Sequence, residues 1–575
     1  MAGPIYDFII VGGGTSGCLL AHRLSHSPSQ PSVLLLEAGS KPTGEELQPP
    51  FYRYMAPVLR PDLDYGYAST PQTKLNNRVI PYARGKGLGG SSVLNFQVYL
   101  YGSAEDYDRW AELVGDESWG WDYCKEMFKK IENYEFEDAT KGYWEFARPE
   151  AGVHGTQGNV KVCLPPVLEK GIEPVMRAVV EEGGEKINLD FNSGDPIGIG
   201  VFPNSTSKEG RTTSATAHLV DAPGNLEIWT DAVVQRLVFD GVKVVGVETA
   251  DGRRAKSGKE VIISSGAIDT PRLLLLNGIG PANELEALGI NVVQDVPGIG
   301  KHLQDHVMTF MSVETNGDQN ERWAFQGNEQ LVAEAKAMWQ KDRTGNFSLH
   351  SSVLWGGFLK LPGYEQYSEY QALDNEWQEF LARRRVPSYE LMGSCLLWPP
   401  DTVLPKDSSY ITGNVVLLNP QSEGSISLRS ANPEEKPIID LAFLTHPYDR
   451  RVLREAVRET YIKLFENPEV KKHIKRQLCG PTSLSDEHVD EFIQEAATTV
   501  WHANGSVKMG KADDKLACVD SRFRVRGVEG LRVVDCSVCP LTTNNHTQTT
   551  AYLIGQKAAD TLFAEYDLGK SHLRL

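Results

Sequence analysis

Two histidines near the end of the chain stand in segments rich in glycine and small polar residues. They are His502 in Trp501-His-Ala-Asn-Gly-Ser506 and His546 in Thr543-Asn-Asn-His-Thr-Gln548. A neutral imidazole, with an unperturbed pKa of ~6.5, can accept a proton near neutral pH. Two such rings at one site could remove a hydroxyl proton with one nitrogen and hold the substrate oxygen with another. The carbon would then lose a hydride, which needs an acceptor that no side chain provides. An isolated histidine is more often a surface or core residue, so the pair matters only if the fold joins it to a redox cofactor.

The start of the chain offers a place for one. Ile5-Tyr-Asp-Phe-Ile-Ile-Val11 is a nearly continuous apolar run, as in a strand buried on both faces. Gly12-Gly-Gly14-Thr-Ser-Gly17 follows, then a predicted helix over Cys18–Leu24 and a second strand, Ser32–Leu36, that ends in Glu37. This is G-x-G-x-x-G between strand and helix, with an acid 20 residues past the last glycine. Gly12 permits the tight turn, Gly14 lets backbone approach a pyrophosphate, and Gly17 lets helix and strand pack closely. The helix N-terminus receives the phosphates. Glu37 would accept hydrogen bonds from ribose hydroxyls and repel a 2′-phosphate. The loop alone leaves FAD and NAD both open.

Composition limits the partners. The chain has 575 residues, more than one hydrophobic core accommodates, and a formal net charge of −18. That charge argues against nucleic acid or an anionic membrane surface. No apolar run reaches the ~18 residues of a membrane helix. Eight cysteines without framework spacing fit a reducing compartment. Cys536-Ser-Val-Cys539 reads as two small buried residues, and no spacing reads as a metal site. Met1-Ala-Gly-Pro4 runs directly into the first strand, so the expected compartment is the cytoplasm. A secreted chain with its leader removed, or a peroxisomal one ending in Leu573-Arg-Leu575, remains an alternative. Four N-x-S/T sequons begin at Asn204, Asn346, Asn504 and Asn545, two of them within the histidine segments, and are not read as glycosylation sites. Nothing fixes the oligomeric state.

Three further motifs lie between these ends. They are Ala83-Arg-Gly-Lys-Gly-Leu-Gly89-Gly90-Ser91-Ser92-Val-Leu-Asn95, Ser265-Gly-Ala-Ile-Asp-Thr-Pro271 leading to Gly280-Pro281, and Val296-Pro-Gly-Ile-Gly300-Lys-His-Leu-Gln-Asp305-His306. With the opening loop and the two histidines, the chain resembles the glucose–methanol–choline (GMC) family of flavin oxidoreductases from residue 5 to about 565. Within it, N-H-T-Q followed by T-x-A-Y looks most like fungal aryl-alcohol oxidases.

The resemblance implies an α/β fold: a discontinuous Rossmann-like FAD-binding domain plus an α+β substrate domain with an antiparallel sheet. The FAD domain would comprise 1–45, 75–110, 225–310 and 495–575, and the substrate domain 46–74, 111–224 and 311–494. The polar, charged stretch 311–395 would be the most variable part, a cap. Leu226–Asp231, Val233–Phe239, Val244–Glu248 and Val261–Ser265 read as strands, with a turn at Asp240-Gly241. Glu459–Phe465 and Gln548–Phe563 read as helices.

FAD-binding residues are expected to be Gly12, Gly14, Thr15, Ser16, Gly17, Glu37, Ala38, Arg84, Gly89, Gly90, Ser91, Asn95, Val233, Asp535, Thr547 and Gln548. Asn95 falls where the family has a residue near the flavin's reactive edge. Family members that attach FAD through histidine have it in this segment; here Val93, Leu94 and Asn95 stand instead, so FAD is expected to be non-covalent. His502 is implied as base and His546 as its hydrogen-bonding partner, while His306 is read as structural or near the pocket rim. Phe96, Trp398 and Trp501 are expected as aromatic walls, favouring an aromatic or apolar alcohol. The electron acceptor is either oxygen or a quinone-type compound. An alternative is a non-redox cyclase or lyase of a fungal pathway that keeps FAD as scaffold and uses the histidines as acid and base.

Overall fold

In the computed structural model the described residues are 3–136, 145–165, 169–348, 355–394 and 396–570. Cys395 and the terminal tripeptide Leu573–Leu575 lie outside them.

The apolar runs of the sequence become a parallel sheet. Strand Ile5–Val11 pairs in parallel with Val33–Leu36 on one side and Arg254–Ile263 on the other. Leu226–Trp229 extends the sheet beyond Val33–Leu36, and Leu531–Val533 lies beside the end of Arg254–Ile263. Phe8, Ile9, Ile10 and all four residues of Val33–Leu36 are buried, which explains why these strands lack polar alternation. Each such side chain contributes about 1.5–3 kcal/mol of burial. Val234–Asp240 and Lys243–Thr249 form an antiparallel hairpin whose turn contains Gly241 at φ +62°. Arg254–Ile263 starts seven residues before the expected Val261, because its first half pairs with this hairpin.

Helix Thr15–Ser25 follows the glycine loop and packs against the C-terminal helix Gln548–Tyr566. Ser16 Oγ donates to Ala551 O at 2.7 Å, and a Cβ on Gly555 would sit 2.8 Å from Ser16 O. The two ends of the chain are therefore in direct contact. The expected helix at Glu459 is the tail of a longer one, Pro447–Thr460, extended by a π turn over Tyr461–Phe465.

A second, wholly antiparallel sheet has the order Trp355–Leu359, Tyr389–Ser394, Ser408–Leu417, Val307–Asn316, Ile474–Cys479. Thr498–Thr499 pairs with Val307 and Met308 on the same side as Ile474–Cys479. Two strands of this sheet begin in pieces expected to belong to the FAD domain, since Val307 and Thr498 precede and follow the limits 310 and 495. The stretch 311–395 supplies much of the sheet's core: Met311, Val313, Trp355, Phe358, Leu391 and Met392 are buried. Among the described residues no helix is long and apolar enough to cross a membrane, and no group of three or more His, Cys, Asp or Glu side chains is arranged to hold a metal.

Candidate functional site

The glycine loop is shaped by close contacts. Gly12 has φ +110°, and a Cβ on it would lie 2.3 Å from Ser264 O; one on Gly17 would lie 2.0 Å from Gly12 O. Gly14 is different, because an added Cβ would meet only Ser264 O at 3.9 Å and point into open space. The second glycine motif packs on the first: Gly89 N donates to Gly13 O at 2.8 Å, and a Cβ on Gly90 would stand 2.7 Å from Gly14 Cα.

Between them opens a cavity of about 830 Å³. Of the residues expected to bind cofactor, Gly12, Gly14, Thr15, Ser16, Glu37, Ala38, Arg84, Gly90, Ser91, Asn95, Val233, Asp535, Thr547 and Gln548 line it. Gly17 and Gly89 lie behind the wall and act through backbone packing. Glu37 accepts from the amides of Gly13 (2.9 Å), Gly39 (2.8 Å) and Gly87 (3.0 Å), so it also ties the two glycine motifs together. Burial pushes its carboxyl up in spite of these amides. Oε1 accepts two of these amides and Oε2 only one, so Oε2 retains a lone pair for a ribose hydroxyl. Asp535 accepts from Gly266 N (2.9 Å), Thr270 Oγ1 (2.6 Å) and Ser537 N (2.8 Å), fixing the start of helix Gly266–Leu276, and burial raises its carboxyl as well.

Several buried polar atoms of the wall have no partner among the described residues: Gln548 Nε2, Arg84 Nη2 and both amide atoms of Gln97. Buried polar atoms are nearly always satisfied, so these point to a polar occupant. Asn95 is held from behind, with Arg211 Nη1 donating to its backbone O at 2.7 Å and its Oδ1 at 2.9 Å, and it donates in turn to Gln548 Oε1. An open approach at Gly14, a helix N-terminus, Glu37 and these unpaired amides together fit a dinucleotide.

The histidines lie in the wall of the same cavity. Their ring centroids are 5.0 Å apart at an interplanar angle of 81°. The pairing of Val307–Met308 with Thr498–Thr499 carries the chain straight into His502 and brings His306 beside it. Asp305 then clamps the turn: Oδ1 accepts from His502 N at 2.7 Å, and Oδ2 from Tyr82 OH at 2.7 Å and Thr499 Oγ1 at 2.5 Å. Trp501 takes the left-handed backbone at φ +60°, held by Thr499 Oγ1 on its N (2.6 Å) and Arg84 Nη1 on its O (2.6 Å).

Two partners were not foreseen. His306 is buried, not at a rim, and its Nδ1 lies 2.9 Å from His502 Nδ1. Glu390, on strand Tyr389–Ser394 of the antiparallel sheet, lies with Oε1 3.0 Å from His546 Nε2. Burial, with His546, His306 and Arg84 nearby, holds His502 well below the usual imidazole range. Burial, then His546, lowers His306 to about 3. Both rings are therefore neutral over the physiological range.

Phe96 and Trp501 line the cavity and meet edge to face at 5.6 Å, and Tyr54 packs on Phe96 at 4.4 Å. Trp398 does not join them: it stacks on Phe310 at 4.6 Å and 16°, away from the cavity wall. The hydrophobic surface of strand Val307–Asn316 is what captures it. Cys536 faces the cavity and Cys539 is buried, both as free thiols.

Two family models described as GMC oxidoreductase match the chain, an N-terminal one over residues 6–308 and a C-terminal one over 420–555. Alcohol dehydrogenase [acceptor] of Pseudomonas putida is 33% identical over 98% of this chain and 97% of its own length. A crystallised formate oxidase superposes with a TM-score of 0.89 at 27% identity, covering 99% of this chain and 100% of that one. A fungal aryl-alcohol oxidase shares the fold with a TM-score of 0.83 at 24% identity, over 98% of this chain and 99% of the other. The chain belongs to the GMC oxidoreductase family, and FAD is its cofactor.

Proposed function

We propose that this enzyme oxidises a primary or secondary alcohol to the carbonyl compound, with His502 as base and His546 as hydrogen-bonding partner. The observation that carries this reading is the pair of buried rings 5.0 Å apart in the wall of the cavity that the glycine loop opens into. Bound FAD would supply the hydride acceptor. His502 arrives neutral, and the alkoxide forming beside it offsets the cost of charging a buried ring. His546, held by Glu390, orients the substrate oxygen and so the carbon. Phe96, Trp501 and Tyr54 surround a flat apolar group better than a sugar ring, which favours benzylic or other apolar alcohols. FAD is held without a covalent bond. Oxygen or a quinone-type acceptor completes the cycle.

The test is anaerobic titration of the yellow holoenzyme with benzylic, allylic, aliphatic and sugar alcohols. Bleaching of the flavin by apolar alcohols is expected, and air then separates an oxidase from a dehydrogenase. A flavin that no alcohol bleaches would overturn the redox reading in favour of acid–base chemistry on the same scaffold.

A further inference from the structure

We infer that His306 is a positioning residue that decides which nitrogen of His502 faces the cavity unprotonated. The inference rests on the reading of His502 as the base. The two Nδ1 atoms are 2.9 Å apart, and both side chains are buried. Only one hydrogen fits between two such nitrogens, so one ring donates and the other accepts.

Two arrangements follow. In the first, His502 Nδ1–H donates to His306 Nδ1. His502 Nε2 is then a bare lone pair and can take the substrate's proton. In the second, His306 donates, and His502 carries its hydrogen on Nε2. That nitrogen can offer a hydrogen bond but cannot remove a proton. In the first arrangement, protonation adds a hydrogen at Nε2 and leaves the Nδ1–H···Nδ1 bond intact. In the second, no nitrogen of His502 is left to receive it. Catalysis by His502 therefore needs His306 as acceptor.

Among the described residues no carboxylate is bonded to the His502 ring. Asp305 is committed to the backbone of His502, Thr499 Oγ1 and Tyr82 OH. Glu390 is bonded to His546, and Arg84 to Trp501 O. The base is thus oriented by a neutral ring where hydrolytic triads use a carboxylate. His306 Nε2 is buried and has no partner among the described residues, so no third group forces the opposite tautomer. The proton that His502 gains is not neutralised by a bonded anion, and its positive charge remains beside the cavity.

His306→Asn places an amide oxygen where Nδ1 stands; His306→Gln places its amide where Nε2 stands. Both are polar and of similar size. Anaerobic flavin reduction by alcohol is expected to be about 10–100-fold slower in His306→Gln than in His306→Asn, at equal FAD content. The acid limb of the pH–rate profile should also move to lower pH in His306→Gln, because the acceptor that supports protonated His502 is gone. ¹⁵N NMR of the histidine-labelled wild-type holoenzyme should show His502 protonated on Nδ1 and bare on Nε2. An Nε2–H tautomer, or equal rates and equal acid limbs in the two variants, would overturn the inference. His502→Ala separates the two levels of the argument: if it reduces flavin as fast as wild type, the base assignment itself is wrong. If it is inactive while the two His306 variants are alike, only the role of His306 falls.

Discussion

Glu390 Oε1 stands 3.0 Å from His546 Nε2, with both side chains buried. A carboxylate there fixes the hydrogen of His546 on Nε2 and leaves Nδ1 as the other functional atom. His502 has a neutral imidazole in the corresponding role. The two catalytic candidates thus have chemically different supports, in keeping with different tasks.

Replacing Glu390 by Gln preserves shape while removing the charge from His546. Flavin reduction should slow by about 10–100-fold, with FAD content and melting temperature nearly unchanged. Stopped-flow reduction at saturating alcohol measures it, and a wild-type rate would show that the bond has no role in positioning His546.

His502→Ala should lower the reduction rate by about 10²–10⁴-fold, the contribution usual for general base catalysis. The absorbance of bound flavin should be retained, since the backbone clamp by Asp305 does not involve the imidazole.

Gly14 and Gly17, three residues apart, have different surroundings. Gly14→Val should give a folded, colourless protein, because its side chain enters the cavity without meeting the scaffold. Gly17→Ala should instead destabilise the fold, toward the upper end of ~1–3 kcal/mol, because its Cβ falls 2.0 Å from Gly12 O. Flavin content and thermal melts distinguish the two, and a fully yellow Gly14→Val would refute the loop assignment.

His154 sits buried, with Nδ1 2.9 Å from Glu132 Oε1 and Nε2 3.2 Å from Asp190 Oδ2. Burial favours the neutral ring, but the bonds to Asp190 and Glu132 outweigh it and raise the pKa to about 9. A pKa raised on folding adds stability that is fully present below the unfolded value of ~6.5 and is lost as pH rises through about 9. The amount is on the order of 3 kcal/mol. Denaturant midpoints should therefore fall between pH 7 and 9.5 in wild type, and the fall should be smaller in His154→Asn.

Acid precipitation should leave the yellow colour in solution. The segment Ser91-Ser-Val-Leu-Asn95 beside the cavity contains no histidine to bond the flavin. Flavin that stays with the pellet would contradict non-covalent binding.

The strand–turn–helix unit of the nucleotide loop was legible in the sequence because its pattern is contiguous. Gly17 answers Gly12 O inside that unit, whereas the demand on Gly12 comes from Ser264 O, at the end of a strand distant in sequence. The supports of the histidines were not legible. Glu390 is 156 residues from His546, on a strand where alternation alone does not say what its side chain meets. His306 is 196 residues from His502, and only the pairing of two short strands joins them. Trp398 illustrates the opposite failure: an aromatic ring near the site finds Phe310 a better surface than the cavity. The stretch 311–395 looked polar because exposed helices such as Glu329–Asp342 separate its buried strands and lower the average.

The direct contact between helices Thr15–Ser25 and Gln548–Tyr566 has a consequence for synthesis. The ribosome delivers the glycine loop well before both candidate catalytic histidines. Until Leu531–Val533 emerges, Ile262 and Ile263 have an open sheet edge, which is a template for wrong pairing. Until Gln548–Tyr566 docks, the loop helix lacks its cover and Gln548 is missing from the cavity. A growing chain therefore carries half a cofactor site until Leu531–Val533 and Gln548–Tyr566 have emerged, and loading waits for them.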